Sequence, residues 1–304
     1  MEKCLIIHNP KSGKAISKKI LEEYKRILRE RGYLVETIET KYQMHATEIM
    51  KKAGNYKLVF AIGGDGTLSE VVEGNLLRDE KLVICPISNG TCNDVAHMLG
   101  LGNDPIKNLN MLLDGETNYV DVGDINGKPF FYTAGIGKIV NVASETKAED
   151  KKKYGYFAYL INAINEILND ENFDKIEVII DGVKMKGKYA LALISNSNHI
   201  AGIKGIHNEV CLNDGKMEVL LCKGENKIDF LKTIIKFFLR IKTDSIVYLK
   251  AKEIIVRFPN NKTWCLDGES HKPNTNECRI KVLGRKIPMR IPIKRKKELL
   301  LTES

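Results

Sequence analysis

Apolar positions in the first third of the chain alternate between two rhythms. Cys4 to Ile7 is a short apolar run of buried-strand type, after which Ile16, Ile20, Tyr24, Ile27 and Leu28 recur at helical spacing. Tyr33 to Ile38 reads as a second strand. Leu58–Ile62 and Leu82–Ile87 read as further buried strands, each passing through Gly or Pro into a helical segment. Strands alternating with helices predict an α/β N-terminal domain around a parallel sheet.

From about Tyr119 the texture changes. Asn126-Gly127, Asp181-Gly182 and Asp214-Gly215 each sit between β-prone runs, which predicts hairpins and a second, mainly antiparallel β domain. Two helical segments interrupt it, at Tyr156–Leu168 and Asp229–Arg240. In the latter, Phe230, Leu231, Ile234, Ile235, Phe238 and Leu239 make one wide apolar face, open to a core or to a membrane. The expected division is 1–122, completed by 285–304, and a β-rich substrate domain over 123–284.

Composition sharpens this picture only at its edges. Hydrophobic residues make up 43% and charged residues 29% of the 304, ordinary globular values that leave little room for a long disordered tract. Seven cysteines occur singly, without a CxxC pair, which argues against a disulfide framework or a zinc knuckle and suits a reducing cytoplasm. The apolar start is too short for a signal-peptide core, and no apolar run reaches bilayer length, so any lipid would be met from the water side. A net charge of +9 points to partners that carry phosphate, without selecting nucleotide, nucleic acid or anionic membrane. The tail Lys294-Arg295-Lys296-Lys297 reads as a solvated basic end that could also hold anionic headgroups.

The chemistry concentrates where Leu58–Ile62 ends in Gly63-Gly64-Asp65-Gly66-Thr67, just before a helix. Glycines let the backbone approach an anion, and a helix N-terminus favours phosphate. An aspartate there would repel phosphate unless a cation lies between them, so Asp65 suggests Mg²⁺, bound through water. A tight turn that binds nothing is the plain alternative. Gly13-Lys14 lacks the rest of a Walker loop, and the GGDG run does not meet dinucleotide spacing.

GGDGT is shared by diacylglycerol, sphingosine and NAD kinases and phosphofructokinases. Further motifs narrow the field: Asn9-Pro10-Lys11-Ser12-Gly13 is similar to the lipid-kinase NPxSG turn, and Gly90-Thr91-Cys92-Asn93-Asp94-Val95-Ala96 to their GTxNDxA. Tyr119-Val120-Asp121, Asn213-Asp214-Gly215 and Asp267-Gly268-Glu269 follow in family order. From residue 4 to about 293 the chain resembles the bacterial diacylglycerol-kinase-like lipid kinases.

That resemblance implies ATP and Mg²⁺. It assigns the nucleotide to Asn9, Pro10, Lys11, Ser12, Gly13, Thr40, Gly64, Asp65, Gly66, Thr67, Leu68, Ser69, Glu70 and Thr91; Thr40 rests on it entirely. It makes Asp65, Asp94 and Asp121 the acidic residues around the catalytic metal, Asp65 being essential for turnover. A second, structural metal is implied at Asp214 with the carbonyls of Cys211 and Lys216, although an Asp-Gly pair is also an ordinary hairpin turn. It makes Glu269 the general base for a lipid hydroxyl, most simply that of diacylglycerol; by itself the residue reads as a hairpin tip. The implied setting is a membrane surface with anionic phospholipid, no nucleic acid, and a homodimer as an open option. One departure stands out: Pro86-Ile87-Ser88-Asn89-Gly90-Thr91 carries two residues more than the family's Pro-x-Gly-Thr, which leaves nucleotide preference and the role of Thr91 open. An NAD-type kinase and a catalytically silent nucleotide or lipid sensor are the competing readings; the GTxNDxA-like stretch and DGE argue against the first, and the full set of acidic candidates against the second.

Overall fold

The structure is a computed structural model that describes residues 1–13, 16–90, 92–137, 175–200, 202–207, 209–260 and 262–301. The helix expected at Tyr156–Leu168 lies outside the described residues, as does Thr91. Two compact units emerge: Met1–Val122 with Cys211–Asp214 and Leu283–Ser304, and Gly123–Val210 with Gly215–Val282.

In the first unit, strands β1 (Glu2–His8), β2 (Tyr33–Glu39), β3 (Leu58–Gly63) and β4 (Val83–Ser88) alternate with helices α1 (Lys18–Glu30), α2 (His45–Lys52) and α3 (Asp65–Leu76). Every residue of β3 is buried, as a central parallel strand covered on both faces requires. The order is β2-β1-β3-β4, all parallel, with Cys4 opposite Val35 and Leu58, and Leu58 opposite Val83. The helix-spaced residues of α1 bury Leu21, Tyr24 and Leu28, and Ser17 caps it by accepting the Ile20 N–H at 3.3 Å. Helices α4 (Asp94–Met98) and α5 (Pro105–Leu113) lead to β5 (Glu116–Ile125).

The second unit begins with the Asn126-Gly127 hairpin, at φ 51° and 89°, joining β5 to β6 (Lys128–Phe130). Next come β7 (Thr133–Gly137), β8 (Glu177–Ile180), β9 (Val183–Lys184), β10 (Tyr189–Ser195), β11 (His199–Ile200), β12 (Ile203–Lys204) and β13 (Met217–Lys223). Helix α6 (Lys227–Phe238), β14 (Ile246–Ala251), β15 (Glu253–Arg257), β16 (Trp264–Leu266) and β17 (Glu269–His271) follow. A six-stranded antiparallel sheet runs β14-β13-β10-β7-β16-β17. Its Ala134, Ile194, Val219 and Trp264 pack on Val178, Ile254 and Ile280 of a second layer, while α6 covers its other face through Phe230, Ile234 and Phe238.

The long strand β18 (Glu277–Ile291) serves both units: Cys278 pairs with Val256 in the second, and Met289 with Ile84 in the first. Two expectations change. Asp214-Gly215 does not turn a hairpin, because Leu212 is buried in the first unit and donates its N–H to the Leu299 carbonyl at 2.7 Å. The basic tail is not a loose end: it forms helix α7 (Ile293–Leu299), anchored by Arg295 Nε on the Met98 carbonyl at 3.1 Å.

Candidate functional site

In the first unit the sheet reverses direction between β1 and β3: β1 connects outward to β2, and β3 the other way to β4. A doubly wound sheet opens a crevice for ligands at the carboxyl ends of its strands at such a point. Three loops meet there, following β1, β3 and β4. Asn9 donates its backbone N–H to the Ile62 carbonyl at 2.9 Å, and Asn89 donates to the Gly63 carbonyl at 2.7 Å. The Asn9 side-chain amide donates to Thr67 Oγ1 at 3.0 Å, and the Asn89 amide to the Ser12 carbonyl at 3.3 Å. The loops touch through bare backbone: a Cβ on Gly90 would lie 2.6 Å from Gly64 Cα, and one on Gly13 would lie 2.2 Å from the Asn89 carbonyl oxygen. The two extra residues before Gly90-Thr91 are absorbed here, since Ser88 extends β4 and Asn89 ties it to both neighbouring loops.

Asp65 opens α3 and reaches across to α4. Its Oδ2 accepts the Asp94 N–H at 3.0 Å and its Oδ1 the Val95 N–H at 3.2 Å, so the carboxylate fills the bare N-terminus of that short helix. Burial pushes its carboxyl up from the ordinary value, outweighing the pull of those two N–H groups, its own N–H and nearby His97. Asp94 and Asp121 are fully buried, and Asp121 Oδ1 accepts the Arg285 N–H at 2.7 Å. Among the described residues no three His, Cys, Asp or Glu side chains converge as direct metal ligands, so these three aspartates are not a ready-made inner coordination sphere.

Other sequence candidates separate by position. Lys11 is exposed and donates its N–H to Asn9 Oδ1, Ser12 Oγ donates to the Asn9 carbonyl, and Gly13 has the left-handed φ of 52°. Gly66 and Ser69 are half-buried on α3, and Leu68 is core. Thr40 follows β2, buried, its N–H on the His8 carbonyl at 2.8 Å. Glu70 points elsewhere: its carboxylate accepts the Met44 and Ala46 N–H groups at 2.9 and 3.1 Å and so caps α2. Pro10 is half-buried beside Asn9. Cys211 and Asp214 belong to the first unit and Lys216 to the second.

Glu269 is exposed at the start of β17, where Asp267 and Gly268, at φ 49° and 89°, turn a two-residue hairpin pairing it with Leu266. Beside it stands Asp267, which the sequence shows only as part of the Asp-Gly-Glu run and whose role is structural. That carboxylate is buried and accepts three consecutive N–H groups, from Phe131, Tyr132 and Thr133, at 2.6, 2.9 and 3.0 Å. The signal available was the Asp-Gly pair itself, which announces a turn but not its anchor.

Residues 3–125 match the model of the diacylglycerol kinase catalytic domain. A diacylglycerol kinase of Bacillus subtilis (strain 168) is 30% identical over 275 residues, covering 88% of this chain and 90% of that one. The chain belongs to the diacylglycerol kinase family. A diacylglycerol kinase of Staphylococcus carnosus (strain TM300) is 30% identical over 268 residues, with 87% of each chain covered. A solved structure of a candidate diacylglycerol kinase from Bacillus anthracis str. Sterne superposes with a TM-score of 0.78 at 26% identity, covering 96% of this chain and 98% of that chain. Family membership makes the protein a phosphotransferase that takes its phosphoryl group from a nucleotide and delivers it to an alcohol. No described helix is long and apolar enough to cross a membrane.

Proposed function

We propose that the protein transfers the γ-phosphate of ATP to the free hydroxyl of diacylglycerol, giving phosphatidic acid, with Mg²⁺ and at an anionic membrane surface. The observation that carries this reading is the meeting of the Asn9–Gly13, Gly63–Thr67 and Asn89–Gly90 segments at the β1/β3 crevice. Phosphoryl transfer asks the protein chiefly for positioning and charge neutralisation. Bare glycine backbone and the first turn of α3 supply N–H groups to phosphate oxygens. Thr67 Oγ1 accepts from Asn9, so its own hydrogen is left to donate to phosphate.

Oxygen donors suit Mg²⁺, and a carboxylate whose charged form burial disfavours gains from a cation beside it. With no direct ligand cluster among the described residues, Asp65, Asp94 and Asp121 would hold the ion through water. Bound there, Mg²⁺ neutralises charge on the phosphates. Glu269 takes the hydroxyl proton as the acceptor oxygen bonds to the γ-phosphorus and the bond to the β-phosphate oxygen breaks, releasing ADP.

The test is label transfer from γ-labelled ATP and Mg²⁺ to diacylglycerol dispersed in detergent, with NAD and a sphingoid base as parallel acceptors. Label in phosphatidic acid supports the reading. Label in NADP, in the sphingoid phosphate, or in no acceptor sinks it.

A further inference from the structure

Helix α6 carries two apolar stripes, and among the described residues one of them packs on the sheet. Phe230, Ile234 and Phe238 are buried against Leu191, Leu220 and Cys222. About 120° round the helix from that stripe, Ile228, the half-buried Ile235 and Leu239 at the C-terminal cap fall within about 40° of one another at the usual 100° per residue. Ile228 is 66% and Leu239 57% exposed, and Ile241, just past the helix end, is 48% exposed. Exposed leucines and isoleucines are common singly; a row of them along one helix is not.

The flank of this stripe is cationic. Lys232 and Lys236 continue the same turns, and Arg240 and Lys242 follow at the C-terminal end. The acidic groups nearby are Glu225, paired with Lys175 at 3.4 Å, Asp229, whose carboxylate is held by the Asn226 side chain at 2.8 Å, and Asp244 beyond the helix. A helix with an apolar outer stripe and a lysine border is built to lie in the headgroup layer of an anionic bilayer, apolar side chains inserted and cations at the phosphates. A second copy of the chain fits this face less well, because a two-fold contact would bring the lysines of both copies into one interface.

We infer that the outer face of α6 is a membrane-docking surface of the second unit, and that its partner is a bilayer containing anionic phospholipid. The inference rests on the lipid-acceptor reading for its choice of partner. Its test needs no turnover, so the two can fail separately. The full chain is sedimented with phosphatidylcholine vesicles, with and without phosphatidylglycerol, across a salt series.

Wild type should pellet with the anionic vesicles and lose binding as salt rises. Lys232→Gln with Lys236→Gln should weaken binding about five-fold per lysine. Ile228→Ser with Leu239→Ser should weaken it by about tenfold or more, and should do so at every salt concentration. Both pairs should keep the wild-type melting temperature and wild-type turnover of detergent-dispersed lipid, because Ile228, Lys232 and Leu239 are exposed and Lys236 lies outside the buried stripe. Variants that pellet like wild type would overturn the assignment. So would wild type binding neutral vesicles equally well, or none at all. If the variants instead convert a dimer to a monomer in analytical ultracentrifugation, the face belongs to a second copy.

Discussion

Asp65 in the first unit and Asp267 in the second do the same thing at first sight, each accepting N–H groups from consecutive residues of a distant loop. Asp65 accepts two and is half-buried, and burial pushes its carboxyl up; Asp267 accepts three and is buried. The first unit asks one carboxylate both to hold α4 and to face the crevice. The second unit divides the work between residues two apart, with Asp267 holding the hairpin and Glu269 exposed at its tip. Where the tasks are divided, a substitution should separate stability from turnover. Where they are fused, it should move both.

The largest expected effect is in the divided pair. Glu269→Gln removes the proposed base but leaves the hairpin anchored, so kcat should fall on the order of 10²- to 10⁴-fold with ATP binding and melting temperature unchanged. Steady-state kinetics alongside calorimetry decide it; a matching loss of ATP affinity would return Glu269 to a supporting role.

Asp65→Asn should lower kcat by on the order of 10²- to 10³-fold. Its stability effect has the opposite sign to the usual one. A carboxyl whose folded pKa is raised contributes stability below its unfolded pKa and loses that contribution as pH rises through the folded value. At neutral pH the charged Asp65 therefore weakens the fold, and the neutral Asn should melt no lower than wild type. A clear drop in melting temperature would mean that the bonds to Asp94 and Val95 outweigh the burial of charge.

The second unit has an acid sensitivity of its own that must be measured before Asp267 is judged. Burial, aided by the positive Lys250, pushes the His207 imidazole from 6.5 down to about 4. The unfolded chain thus binds the proton first, and stability drains away as pH falls from the unfolded value toward the folded one. Between pH 7 and pH 4 wild type should lose about 3 kcal/mol more than His207→Gln, read from denaturant unfolding.

Asp267→Asn, measured at pH 7, should have the smallest free-energy effect, about 2 kcal/mol of stability from weakened charge-assisted bonds. If it left unfolding unchanged and lowered only kcat, the division of labour in the second unit would be wrong.

Much of this was written in local sequence. The buried strands around GGDGT and the glycines that let three loops touch follow from runs and turns within a few residues, so they could be read directly. Glu70 could not be read as the cap of α2, because its partners lie 26 and 24 positions earlier. Asp267 is anchored to residues 134 to 136 positions earlier, a pairing no local period encodes. The wide apolar face of α6 was visible, but periodicity alone does not say which half meets the sheet. Asp214-Gly215 has hairpin composition; burial of Leu212 against the C-terminal segment decided otherwise.

The split course of β18 sets a timetable for biosynthesis. Residues 1–122 leave the ribosome early, yet their sheet gains Met289 beside Ile84 only from the last strand, and the Leu299 carbonyl that receives Leu212 comes later still. At about 5–20 residues per second, the roughly 180 residues after Val122 take on the order of 10–40 s to make. Throughout that interval the β4 edge lacks its native neighbour and stays open to wrong partners. Truncation from the C-terminus should therefore strip the first unit of its closing strand, so a shortened gene would yield neither unit intact.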